Sequence, residues 1–299
     1  MRSLKFFLVF IFLGLIELLT NWNIGALDWP VKSSQMIASF GDIYKKQLVI
    51  GIVFNHDGDS VLSVTEGEKV FIKDSQSFSS VPTGHGSLII IEHEGGLRSV
   101  FRGVDGRLVD TTKTVYRLGE SIIYDRLSFN ESLVPWHFSF YDMSNHRVIN
   151  PSSILPLRID QESPIINSVF LQRVSNSDLI EAELQTKSFK QEITPGIYRL
   201  VLEVFDVLDT ERISVKELEV FYDGYQIGHI YPESFSDSKG VLMMNGTKKA
   251  VSNFIDHDGN WLVEPLSIQT GLHHFSIFAT DFSGNVEDKE IFFEVQGGF

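Results

Sequence analysis

GLHHFSIFATDFSGNVEDKEIFFEV, Gly271 to Val295, reads as a strand, a turn and a second strand. Asp281, Gly284 and Asn285 supply the turn, because these residue types tolerate tight or left-handed backbone. IYRLVLEVFDV (Ile197 to Val207) and SVKELEVFYDG (Ser214 to Gly224) alternate apolar with polar residues at the period of two that a half-buried strand requires. From Ile165 onward the chain is therefore expected to be strands and turns, with no long amphipathic helix. DHDGN (Asp256 to Asn260) has the acidic character of a calcium loop. An EF-hand, however, needs Gly at its sixth position and Glu at its twelfth, where this chain has Trp261 and Ser267, so a polar hairpin turn is expected. His273 and His274 are adjacent on one strand and point to opposite faces, which prevents both from ligating a single metal.

ATDFSGN, Ala279 to Asn285, resembles the hairpin near the end of bacterial immunoglobulin-like domains. The resemblance implies an antiparallel β-sandwich over residues 157–299.

A second resemblance covers Leu27 to Pro156. DWPV (Asp28 to Val31) and IASFG (Ile37 to Gly41) are followed by GDSVLSVTEGEKVFI (Gly58 to Ile72) and GHGSLIIIEHEGGLRSVFRGV (Gly84 to Val104). LGESI (Leu118 to Ile122) and PWHFSFYDMSNHRVINPSSIL (Pro135 to Leu155) complete the series. In this order and spacing the pieces resemble the lysostaphin/LytM-type peptidoglycan endopeptidases. That family implies an antiparallel β barrel or sheet, and so an all-β chain of two domains, 27–156 and 157–299.

A catalytic zinc requires three protein ligands and an open position for the water it acidifies. In the resembled family these are a His and an Asp four residues apart and the second His of a His-x-His. Laid on QLVIGIVFNHDG (Gln47 to Gly58), the first His falls on Leu48 or Val49 and the Asp on Ile52 or Val53. The second His of His-x-His falls on Ser139, and a further His that assists the water falls on Gly103. Only His137 matches a functional family position, and one imidazole does not hold zinc. His137 and Gly103 are thus vestigial positions, with no catalytic residue, no metal site and no cofactor expected. His56, His85 and His93 lie in the same half, and His93 in IEHEGG is expected at a loop or strand end. Ser139 and His137 share a strand face, but no third group or oxyanion donor accompanies them at recognisable spacing. Leu48, Val49, Ile52, Val53, Gly103, His137 and Ser139 are then candidates to line a residual binding groove. There a large residue at Gly103 is expected to block binding without unfolding the chain.

Arg2 and Lys5, the apolar run Phe6 to Ile16 and the polar Thr20 to Asn23 form the pattern of a secretory signal, with cleavage expected after Ala26. Glu17 stops the run short of a spanning helix, and no later segment is long and apolar enough to span a membrane. The chain has no cysteine, which excludes disulfides and a lipidated cysteine anchor. A net charge of −14 without any basic run argues against nucleic acid as a partner. LPLRIDQESP, Leu155 to Pro164, has the composition of a linker. Asn130 and Asn245 begin Asn-x-Ser/Thr sequons that a bacterial resemblance leaves unmodified.

The expectation is an exported pseudoenzyme of the periplasm or cell envelope that binds peptidoglycan or regulates a cell-wall hydrolase. One alternative is an active zinc metalloendopeptidase that cleaves peptidoglycan cross-links with rearranged ligands. A structural envelope protein is another.

Overall fold

Alternation of inward and outward side chains sets the layers of this chain, whose computed structural model describes residues 26–55, 60–73, 87–104, 108–123, 135–158, 160–174, 180–184 and 193–296. The expected signal up to residue 25, His56, His85 and Asn130 lie outside the described residues. The first strands are β1 (Met36–Ala38), β2 (Ile43–Tyr44), β3 (Gln47–Leu48), β4 (Ile52–Phe54), β5 (Val61–Leu62) and β6 (Gly67–Lys73). Next come β7 (Ser87–His93), β8 (Leu97–Val104), β9 (Val115–Tyr116), β10 (Ser121–Ile123), β11 (Trp136–Asp142) and β12 (Arg147–Ile149). The second half opens with β13 (Ile165–Arg173), β14 (Ile180–Glu183), β15 (Gly196–Leu208), β16 (Glu211–Ile213), β17 (Glu217–Tyr222) and β18 (Tyr225–Ile230). It ends with β19 (Ser234–Ser238), β20 (Val241–Met244), β21 (Trp261–Leu262), β22 (Leu266–Ile268), β23 (Gly271–Thr280) and β24 (Val286–Val295). Among the described residues there is no α-helix, and the fold is all-β. None of their helices is long and apolar enough to cross a membrane.

In the first half a ten-stranded sheet runs β20-β19-β12-β11-β8-β7-β6-β9, with β4 on β11 and β1 on β4. Its central strands bury one face. Ile89, Ile91, Phe101, Phe138 and Phe140 enter a core with Ile52, Phe54 and Trp136. The β7–β8 turn is short because Gly95 and Gly96 adopt φ of 77° and 79°, a left-handed backbone that favours glycine.

The second half is a sandwich of two antiparallel sheets. One runs β14-β13-β15-β16 with β21 and β22 also on β15, and the facing one runs β18-β17-β23-β24. Leu200, Leu202, Val204, Leu218, Val220, Phe275, Ile277, Ile291 and Phe293 fill the space between. β23 and β24 pair from Gly271 opposite Val295 to Thr280 opposite Val286, the strand-turn-strand read from the sequence. The turn is held by Asp281, whose Oδ1 and Oδ2 accept the backbone N–H and the Nδ2 of Asn285 at 2.8 and 2.7 Å.

The halves are interlocked. β19, far beyond the expected boundary at Pro156, pairs with β12 through Val148 opposite Phe235 and so extends the first-half sheet. Phe40 and Val148 in turn belong to the second-half core, and the Phe40 and Phe235 rings stack 4.1 Å apart. The expected domain 27–156 is therefore not self-contained: one strand pair of its sheet and part of its covering come from residues 234–244. Sequence spacing missed this because β19 and β20 are short and follow the sandwich strand β18 without a break in composition.

Candidate functional site

His137 is the ladder partner of Val53 on one side and of Arg102 on the other, so these residues lie in one row across β4, β11 and β8. Ala38 on β1 and Leu88 on β7 extend the row at either end. Paired side chains share a face of the sheet, and residues two apart on a strand share it too. Ser139, opposite Val100, therefore stands on the same face as His137 and Val53. Val49 completes the group by packing with Val53 and Ala38 in a small buried cluster bordered by Ile37 and Tyr44.

This geometry separates the two registers left open in the sequence. Val49 and Val53 meet on the face that carries His137 and Ser139. Ile52 turns the other way, fully buried against Phe54 and Phe138. Leu48 packs on the core of the second half. Of the seven candidate groove residues, Ile52 and Leu48 thus do not belong to the face, for the elementary reason that neighbours on a strand point oppositely.

Ser139 is only 4% exposed. Gly51 packs against it: a Cβ on Gly51 would stand 2.1 Å from the Phe138 carbonyl oxygen and 2.9 Å from the Ser139 Cβ. So close an approach to β11 requires glycine at 51, and Ser139, buried there, is closed to a substrate carbonyl.

Gly103 is the extra residue of a β-bulge. Leu88 faces Arg102 and Ser87 faces Val104, which leaves Gly103 unpaired with φ of 77°. A side chain is strained at that backbone, so the expectation that a large residue at 103 leaves the fold intact is corrected.

Toward β6 the face stays partly open. Leu88 and Ile90 are half-buried, and Phe71, the partner of Ile90, is 39% exposed. Arg102 and Arg98 flank this apolar strip. Arg102 donates to the Tyr141 hydroxyl at 3.0 Å, and Arg98 pairs with Glu92 at 2.6 Å. The strip therefore offers apolar surface beside guanidinium donors.

The other histidines of interest are accounted for. His93 ends β7 on the core side, with Nδ1 2.9 Å from the Glu66 carbonyl and Nε2 2.6 Å from Ser99 Oγ. A carbonyl only accepts, so Nδ1 donates, and in the neutral ring Nε2 then accepts from Ser99. Burial pushes its pKa below the usual histidine value, in keeping with that state. His273 stacks on Tyr222 and His274 on Phe292, from opposite faces of β23.

Among the described residues, two groups place three ligand atoms within 4.8 Å of one another: Asp256, His257 and Asp258, and Asp160, Asp206 and Asp281. Neither contains His137 or His93. The first is the DHDGN turn. Asp256 Oδ1 accepts the N–H groups of Asp258 and Asn260 at 2.9 Å each, and its Oδ2 accepts Asn260 Nδ2 at 3.0 Å. The second was missed in the sequence although a signal exists: Leu200, Leu202, Val204 and Asp206 alternate on one face, which puts an acid where the period demands an apolar residue.

A family model matches residues 163–296, the span of β13 to β24. No curated protein matches the chain. Among solved structures, the solution structure of lysostaphin is 14% identical, with 77% of this chain and 87% of that one covered and a TM-score of 0.32. The fibronectin(III)-like modules of CbhA from Clostridium thermocellum are 11% identical, with 91% of this chain and 93% of that one covered and a TM-score of 0.22.

Proposed function

We propose that the chain is an exported, non-catalytic LytM-like protein of the periplasm or cell envelope that binds peptidoglycan or regulates a wall hydrolase. The observation that carries this reading is the fate of the family's zinc positions. Val49 and Val53 stand together beside His137, but as a buried aliphatic cluster with Ala38 rather than as ligands. Ser139, which the family pattern aligns with the third ligand, is buried against Gly51. An apolar plug at this place leaves one imidazole, and catalytic zinc chemistry needs three ligands and a water.

What remains for binding is the strip of Phe71, Leu88 and Ile90 with Arg98 and Arg102 beside it. Wall stem peptides combine short aliphatic side chains with free carboxylates, and a guanidinium recognises a carboxylate in a fixed fork geometry. The test is sedimentation with purified peptidoglycan and pull-down from envelope extract, wild type beside Arg102→Ala. Binding by the wild type to either target, reduced severalfold in a folded Arg102→Ala chain, is the expected result. Metal analysis of the same preparation gives the opposing outcome. About one zinc per chain, lost in His137→Ala, would replace this reading with that of an active peptidase.

A further inference from the structure

Three segments that are distant in sequence deliver acids to one place beneath the sandwich. Asp160 comes from the stretch before β13, Asp206 from the end of β15, and Asp281 from the residue after β23. Their carboxylate oxygens lie within 4.8 Å of one another. Asp206 is 4% exposed and Asp281 1%. Such a group of anions, withdrawn from water, repels itself unless something positive joins it.

The described residues do not supply that charge by an ion pair. Among the described residues none of the three acids forms an ion pair with Lys or Arg. Arg158, two residues from Asp160, instead lies 4.3 Å over the Trp29 ring and 3.9 Å from Asp209. Hydrogen bonds complete only Asp281, both of whose oxygens accept from Asn285. Asp160 Oδ1 accepts the Glu162 N–H at 3.1 Å, but Asp160 Oδ2 is fully buried and has no partner. Asp206 Oδ1 accepts the Val207 N–H at 2.8 Å. An orphaned carboxylate oxygen in the interior is costly and calls for a ligand. Asp160 and Asp206 also line a cavity of about 40 Å³ with Ser283, Trp29 and Arg158. That is room for a small ion or a water or two.

We propose that Asp160, Asp206 and Asp281 form a calcium site that fastens the segment after Pro156 to the sandwich. The donors are all hard oxygens, which suits calcium and not zinc, a metal that takes histidine or cysteine into its structural sites. The site has a structural consequence. The fastened segment leads directly from Pro156, whose carbonyl accepts the Trp29 Nε1–H at 2.7 Å, so the ion would brace the passage from the first half to the second. The rival occupant is a proton shared among the acids.

The experiment is thermal unfolding and calorimetric titration of the full chain, stripped with chelator, against calcium chloride and separately magnesium chloride near pH 7.5. Calcium is expected to raise the melting temperature saturably, as a ligand of the folded state must, with magnesium weaker. Asp160→Asn removes charge from the orphaned oxygen without deleting a hydrogen bond to it. This variant should fold and bind calcium at least about tenfold more weakly, the arithmetic of a lost charged ligand. Asp206→Asn provides the same comparison from β15, and Asp256→Asn in the exposed turn should bind as the wild type does. No calcium effect on the wild type up to about 10 mM, well above the range of extracellular calcium modules, would overturn the proposal in favour of the shared proton. Loss of binding in Asp256→Asn, with Asp160→Asn and Asp206→Asn unchanged, would overturn it as well.

Discussion

Asp42 carries a pH dependence that one substitution should remove. Its Oδ2 accepts the Ser39 N–H at 2.5 Å and the Ser39 hydroxyl at 2.9 Å, and Ser39 Oγ accepts the Ser214 N–H at 2.9 Å. The acid thus lies at the contact of the two halves, on a cavity of about 230 Å³ that Tyr44, Arg212 and Trp261 also line. Burial pushes its pKa from 3.8 up to about 7, against the lowering effect of the Ser39 and Ser214 donors. A raised folded value means that the native state holds the proton more tightly. The stabilisation is then complete below the unfolded value near 4 and is lost as pH rises through about 7. Between pH 5 and 8 the affected interval is about two units, or at most about 3 kcal/mol, and water in the cavity should reduce this to about 2 kcal/mol. Asp42→Asn keeps an accepting oxygen and cannot ionise. Urea unfolding at pH 5 and pH 8 should show the variant gaining about 2 kcal/mol on the wild type across that interval. Asp206 contributes a slope of the same sign in both proteins and cancels in the difference. If the two proteins lose stability in parallel from pH 5 to pH 8, the reasoning fails.

Two further outcomes test the packing. Gly51→Ala should cost at least about 3 kcal/mol, because the new methyl meets the Phe138 carbonyl oxygen at 2.1 Å and backbone must move. A urea midpoint within error of the wild type would mean that residue 51 does not lie against β11. Phe235→Ala should cost about 3 to 5 kcal/mol and shift a single unfolding transition, since Phe235 is fully buried and stacks on Phe40 of the other half. Two transitions, of which only the later-half one moves, would show halves that fold independently.

The sequence already contained the local rules. Alternation in Ile197 to Val207 and Gly271 to Val295 fixed which side chains face inward, and the period of two made the chain all-β. Asp, Gly and Asn at 281, 284 and 285 fixed the turn, and the same residue types at 256, 259 and 260 fixed another of the same build. That neither register of the resembled family's pattern meets a His or Asp at its first two ligand positions was also plain in the sequence. Tertiary structure decided the rest. Only the pairing of β4 with β11 placed Val53 beside His137 and turned Ile52 away, since a slip of one residue exchanges the faces of a strand. Only the folded chain shows Ser139 buried, with Gly51 packed against it. The union of β19 with β12, and of Asp160 with Asp206 and Asp281, joins residues tens of positions apart. A residue's own neighbours determine its conformation and its face, but which distant strand it meets is settled by the burial of whole surfaces, and no local pattern records that.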